Sequence, residues 1–466
     1  MRPRVLRFLS LVLLAAAPVS ALWASDTDWP AVGREATATL AQYLRIDTTN
    51  PPGREMAAAQ FLKSILERNG IDARVIESAP GRGNVYARLK GQGIRKAVLL
   101  LNHLDVVPAD PRFWMVSPFG GEVKDGYIWG RGALDMKGAG VLQLMTLLVL
   151  KRQALPLRGD VIFLGTADEE AGGALGAGYI VRQHLDLVKD VGVVLNEGGG
   201  IRIDAAGRIT YAVAVSEKTP VRVTLTATGP AGHAAVPRAD SATNRLVAAL
   251  ARVVAHQTPI TVLPEVQAFY AEMAEREASP WRERYRDVAA ALKDPAVAAE
   301  FSARDPAGNA RVRNTVTLTM LEGSGKVNVI PSEARAQLDV RLLPGADQAA
   351  FLEDLRRAVS DDSIHIESST PLIGGSSPVG HPLVDLVRAL ARERDPQAIV
   401  ATPLLIAATD CRYFRPRGVP CYGFMPFRVP VRESAGIHGT NERVSVENME
   451  SGVRMLYEVV RRLAAD

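Results

Sequence analysis

The chain has 466 residues, 47% hydrophobic and 23% charged, with no low-complexity tract; this allows a large core in two or three domains and excludes an extended disordered protein. Its formal charge of +4 comes from 55 basic and 51 acidic residues, with no basic patch interleaved with aromatics, so a nucleic-acid partner is excluded. Two cysteines exclude a disulfide-dense scaffold and a cysteine-rich metal module.

In chain order, Arg2, Arg4 and Arg7 precede an apolar run over 8–17 and small residues near Ala21 and Ala24. That order reads as a secretory signal peptide over 1–24, the alternative being an uncleaved anchor. The protein is then exported, periplasmic or secreted, and its mature charge falls to about +1. Helical periodicity covers 31–45 and 55–68, broken by Asn50-Pro51-Pro52-Gly53. Continuous apolar runs at 97–102, 161–166 and 191–195 suit strands buried on both faces of a largely parallel sheet. Helices at 138–151 and 175–184 alternate with them, which defines an α/β domain.

Beyond 217 the pattern changes. Strand 221–228, helix 241–256, strands 315–321 and 334–342, helix 348–359 and strand 364–367 give the order βαββαβ of a small α+β domain with helices on one face. A charged helical stretch over 268–301 reads as an insertion into it. The second part of the α/β domain resumes near 373 and ends in a helix over 447–463. The predicted fold is therefore an α/β catalytic domain with a mixed, largely parallel sheet (25–216 and 373–466), interrupted by a lid domain over 217–372 with its insertion near 265–305.

Candidate chemistry gathers where strands end, the usual ligand position in open α/β sheets. His103 closes the run 97–102, and imidazole suits zinc, with Asp105 placed to orient the ring; a satisfied structural histidine is the alternative. Asp135 lies in Gly130-Arg131-Gly132-Ala133-Leu134-Asp135-Met136-Lys137-Gly138, where glycines permit a sharp turn before a helix. There it either caps the helix or bridges two cations. Asp168-Glu169-Glu170 follows the run 161–166, where one carboxylate can hold metal while its neighbour takes a proton from water; a solvated face is the alternative. Glu197, in Asn196-Glu197-Gly198-Gly199-Gly200, repeats that placement after 191–195, and His438 follows in Gly436-Ile437-His438-Gly439-Thr440-Asn441. In an oxidising compartment Cys411 and Cys421 either pair or stay buried and free.

With these landmarks, together with 229–237 and Asn328-Val329-Ile330-Pro331, the sequence resembles the co-catalytic zinc peptidase family that contains aminoacylase-1, carboxypeptidase G2, carboxypeptidase S and succinyl-diaminopimelate desuccinylase. The resemblance covers nearly the whole mature chain. Its inserted helices are most similar to the carboxypeptidase S and secreted N-acyl-amino-acid hydrolase branch. It implies two Zn²⁺ ions, with Co²⁺ or Mn²⁺ as alternatives. His103 and Glu197 would serve one, Glu170 and His438 the other, and Asp135 would bridge. It also implies that Glu169 is the general base, that Asp105 orients His103, and that His233 helps hold the substrate carbonyl, often across a dimer. Arg341 and Asn328 match lid residues that contact substrate, although an ordinary salt bridge is the alternative for Arg341. The implied homodimer uses the lid, a surface that the extra helices either leave free or cover.

The function implied is hydrolysis of an amide or peptide bond next to a free carboxylate in a small substrate, such as a dipeptide, a C-terminal residue or an N-acyl amino acid. The enzyme would be a metallopeptidase of carboxypeptidase or aminoacylase type. An aminopeptidase reading a free amine and a metal-bound binding protein are the alternatives.

Overall fold

The computed structural model describes residues 27–370 and 374–465. The expected signal peptide lies outside the described residues. Among them, no helix is long and apolar enough to cross a membrane.

The larger unit is built on a mixed sheet. Its strands run Ala73–Ala79, Arg82–Leu89, Gly159–Thr166, Arg95–His103, Val191–Ile203, Ile209–Ala212 and Ile399–Ala401 in spatial order, and Cys421–Pro430 also pairs with Val191–Ile203. Arg95–His103 lies between two parallel neighbours, Gly159–Thr166 and Val191–Ile203. Period-2 alternation explains its continuous apolar run: Val98 and Leu100 enter one core, Leu99 and Leu101 the other. Helices Trp29–Leu44, Lys137–Gln153 and Val446–Ala464 cover the first face, while Ala177–Gln183 and the turn Asp410–Tyr413 cover the second.

One strand differs from expectation. The apolar run ends at 195, yet the strand Val191–Ile203 continues through Glu197 and the glycines after it, with a register irregularity against Cys421–Pro430. A Cβ at Gly199 would lie 2.1 Å from the Gly423 carbonyl oxygen and 2.2 Å from that of Ala212. Glycine is needed there because two neighbouring backbones close on the bend.

The smaller unit is an antiparallel sheet ordered Thr315–Glu322, Glu333–Leu342, Thr219–Thr228 and Ile364–Ser368. Val221, Val223, Leu225 and Ala227 alternate inward against helices Ala242–Ala255 and Gln348–Val359, forming an apolar core of their own. Each buried Val or Leu there contributes about 1.5–3 kcal/mol. Thr315–Glu322 is an edge strand, with Leu318, Met320 and Leu321 exposed.

The inserted segment is not one long helix. Pro264–Met273, Trp281–Arg286, Val288–Ala291, Pro295–Arg304 and Pro306–Arg311 are separate pieces. Asp287, Asp294 and Asp305 cap three of them, and proline opens three, so the chain restarts repeatedly. Tyr270, Trp281, Tyr285 and Phe301 form their shared aromatic core. The insertion packs on the larger unit beside its edge strand Ile399–Ala401: Glu272 accepts from Arg388 at 2.8 Å and from the Thr402 N–H at 2.9 Å, and Arg276 donates to the Ile209 carbonyl at 2.6 Å.

Candidate metal centre

Two groups of ligand atoms meet at the carboxyl ends of the parallel strands. His103, the last residue of its strand, joins Asp135 and Glu197; Asp135 also joins Glu170 and His438; within each group the ligand atoms all lie within 4.8 Å of one another. His103 Nε2 is 3.1 Å from Asp135 Oδ1 and 3.5 Å from Glu197 Oε2. His438 Nε2 is 3.1 Å from Asp135 Oδ2 and 3.3 Å from Glu170 Oε2. Asp135 thus presents one oxygen to each group.

The electrostatics fit cations. Burial opposes charge on His103, but Glu197, Asp105 and Asp135 hold its pKa well above the ordinary value. Hydrogen bonds to Asp135 and Glu170 raise that of His438 to about 10. Burial lifts Glu197 to about 7 against the pull of His103. Each histidine proton therefore stands where a divalent ion would neutralise the same carboxylates. Glu170 Oε1 is buried without a hydrogen-bond partner, as a ligand atom awaiting an ion is. This N/O donor set suits two zinc ions and also accepts cobalt or manganese.

Around the ligands lies a buried frame. His103 Nδ1 is 2.9 Å from the Asp105 carbonyl and 3.6 Å from its carboxylate, so backbone and side chain of Asp105 both face the ring. The same carboxylate accepts from the backbone N–H groups of Glu169 and Glu170, at 3.1 Å each, and from Asn50 at 2.8 Å. Arg82 bridges Glu55 and Asp168, fixing the other side of that loop.

Glu169 belongs to neither ligand group. Burial and the nearby Glu197 raise its pKa well above the usual range, opposed by Arg412, whose Nη2 donates to Oε1 at 3.0 Å. Arg412 sits in the turn Asp410–Tyr413, capped by Thr409, whose N–H and hydroxyl donate to buried Glu217 at the crossover into the lid. The Cys411–Cys421 disulfide is formed, with 5.5 Å between the Cα atoms.

The expected lid residues lie elsewhere. His233 ends the short strand Gly232–His233, which pairs with Val329–Ile330, and Asn328 lies in the turn just before the latter; both are exposed, the Ala234 N–H donates to the Asn328 carbonyl at 3.1 Å, and no described interaction links them to the ligands. Arg341 is engaged bidentately by Asp339, at 2.7 and 3.0 Å, on the lid wall of a cleft whose other wall carries Arg412. Sequence reasoning missed Arg412 and Glu442. Glu442 follows Asn441 directly and accepts from the backbone N–H groups of Gly132, Leu134 and Asp135 and from Arg131. Its adjacency to the His438 stretch was the available signal for Glu442. For Arg412 the signal was a polar run, 409–412, read only for its cysteine.

Two adjacent candidate cation sites sharing one carboxylate, at the strand ends of an α/β sheet, define a binuclear metallohydrolase. The chain belongs to peptidase family M20/M25/M40, whose model matches residues 99–462. It is 31% identical over 387 residues to the N-fatty-acyl-amino acid synthase/hydrolase PM20D1 of Homo sapiens, covering 79% of this chain and 74% of that one. Aminoacylase-1 of Sus scrofa is 28% identical over 446 residues, covering 93% and 96%. The fold matches an M20 family metallo-carboxypeptidase of Sulfolobus solfataricus, with a TM-score of 0.67 at 20% identity, covering 92% and 98% of the two chains.

Proposed function

We propose that the enzyme cleaves an amide bond whose nitrogen belongs to an amino-acid unit with a free carboxylate, as an aminoacylase or a carboxypeptidase does. The observation that carries this is Glu169: buried, next in sequence to the ligand Glu170, outside both ligand groups, and held by a guanidinium. When bound, two divalent ions supply Lewis acidity toward the scissile carbonyl and toward water. Glu169 accepts the proton of the attacking water and delivers it to the departing nitrogen, while Asp105 keeps the 169–170 backbone in place. Arg412 and Arg341 face the cleft where the leaving unit would lie, and a guanidinium fork matches a carboxylate. The names of the human and porcine relatives, which both concern acyl amino acids, support the same class. Glu169→Gln is expected to bind both metals yet lose about 10²–10⁴-fold in kcat on N-acyl amino acids. Full activity would remove Glu169 from the role.

Export and dimerisation belong to the same reading. Export is supported by the Arg-flanked apolar N-terminus and by the disulfide, which persists in oxidising compartments. The intact mass of the natural protein, expected to lack about 24 residues and two cysteine protons, checks it; a full-length, reduced mass would overturn it. A lid-mediated homodimer is supported by the exposed edge strand Thr315–Glu322, which the insertion leaves open, and by exposed His233, which a second copy would present to this centre.

A further inference from the structure

Beside the metal centre, a cleft of about 480 Å³ separates the loop after Glu170 from the open face of the lid sheet. That volume suits one small-molecule unit. Ala171, Gly172 and Arg412 form one wall, and Arg222, Asp339 and Arg341 stand on the other. The side chains of Val221 and Leu338 are buried in the lid core, so strand backbone and polar groups dominate that wall.

The three guanidinium groups are not equivalent. Arg341 is answered by Asp339 and Arg412 by Glu169. Among the described residues the exposed Arg222 side chain has no carboxylate partner; its backbone N–H donates to Ser369 Oγ at 2.9 Å and its carbonyl accepts from the Ser369 N–H at 2.8 Å. The cleft therefore keeps an uncompensated positive charge on its lid wall. Which part of the substrate meets that charge follows from Glu169. The group that protonates the departing nitrogen must stand beside the departing unit, and Arg412 ties Glu169 to this cleft. The amino-acid half of the substrate, not its acyl half, lies here.

We propose that this cleft is a subsite for an acidic amino-acid unit: one guanidinium takes the carboxylate next to the scissile bond, and Arg222 reads a second, side-chain carboxylate. The inference rests on the amidohydrolase reading and adds the class of leaving unit. It places no demand on the acyl group, which points away from the cleft. An exposed guanidinium without a carboxylate partner gains a charge-assisted hydrogen bond from a second carboxylate and no such gain from a neutral side chain.

The test compares kcat/KM for the N-acetyl and N-lauroyl derivatives of glutamate, glutamine and leucine, using the full-length metal-loaded enzyme, Arg222→Gln, Arg222→Lys and, as a remote control, Arg357→Gln on the far side of the lid. The wild type is expected to prefer glutamate over glutamine by about tenfold or more, mainly through KM. Arg222→Gln should bring that ratio close to one, Arg222→Lys should restore part of it, and Arg357→Gln should leave it where it was. A wild-type ratio at or below one, or an Arg222→Gln variant that loses glutamate and leucine turnover alike, would overturn the subsite while leaving the amidohydrolase reading intact. Silence on every derivative would overturn that parent reading and the subsite with it.

Discussion

Four hydrogen bonds converge on the Glu442 carboxylate, three of them from backbone N–H groups of the loop that carries Asp135. A loop pinned this way holds the aspartate shared by the two ligand groups in place, and such supporting partners orient ligands and tune metal affinity. Glu442→Gln replaces one accepting oxygen with a donor that faces N–H groups. It is expected to weaken metal binding by about 10–100-fold, read by competition with a chromogenic chelator, while circular dichroism shows a folded chain. Unchanged affinity would reduce Glu442 to an ordinary buried acid. The contrast with the ligands explains what could be read from the sequence. His103, Asp135, Glu170, Glu197 and His438 stand beside glycines or at the ends of apolar runs, and that local context is visible in one dimension. Glu442 and Arg412 act on partners about 310 and 240 positions away, and no periodicity records such a pairing.

Among the elements, the short turn Asp410–Tyr413 carries more than its length suggests. Thr409 anchors it to Glu217, Arg412 reaches Glu169 from it, and the Cys411–Cys421 disulfide closes the loop that follows. Closing a loop of that size stabilises the fold by about 2–3 kcal/mol in the chain-entropy account. The double variant Cys411→Ser/Cys421→Ser is expected to lose about that much in urea unfolding, and to raise KM because Arg412 loses its mooring. A stability unchanged within error would show that packing alone holds the turn. The parallel strands and the long amphipathic helices were legible because burial on one or both faces forces a pattern on them. The hairpin Ala73–Ala79 with Arg82–Leu89 escaped notice because its first strand is only half buried. The insertion read as a helical stretch because its composition is helical throughout, but where its prolines and aspartate caps divide it was not read.

For the molecule as a whole, the lid carries an apolar edge that the proposed dimer would cover. Leu318, Met320 and Leu321 on the edge strand, with Val247 and Val254 on the adjoining helix, are exposed together on one unit. Uncovered strands with apolar side chains associate. Sedimentation equilibrium is expected to give a dimer, and Leu321→Lys should shift it to monomer with loss of turnover. A fully active wild-type monomer would end that reading. The division into two units was legible because the order of elements changes at the lid, but where the insertion docks depends on the tertiary structure.

The docking has a consequence for what the enzyme can admit. Two chain crossings alone would leave the lid free to swing, and the insertion adds a third fastening through Glu272, Arg276 and their partners on the larger unit. A mouth bolted at three points admits by size: short, flexible molecules slip in, whereas a folded polypeptide cannot wedge the halves apart.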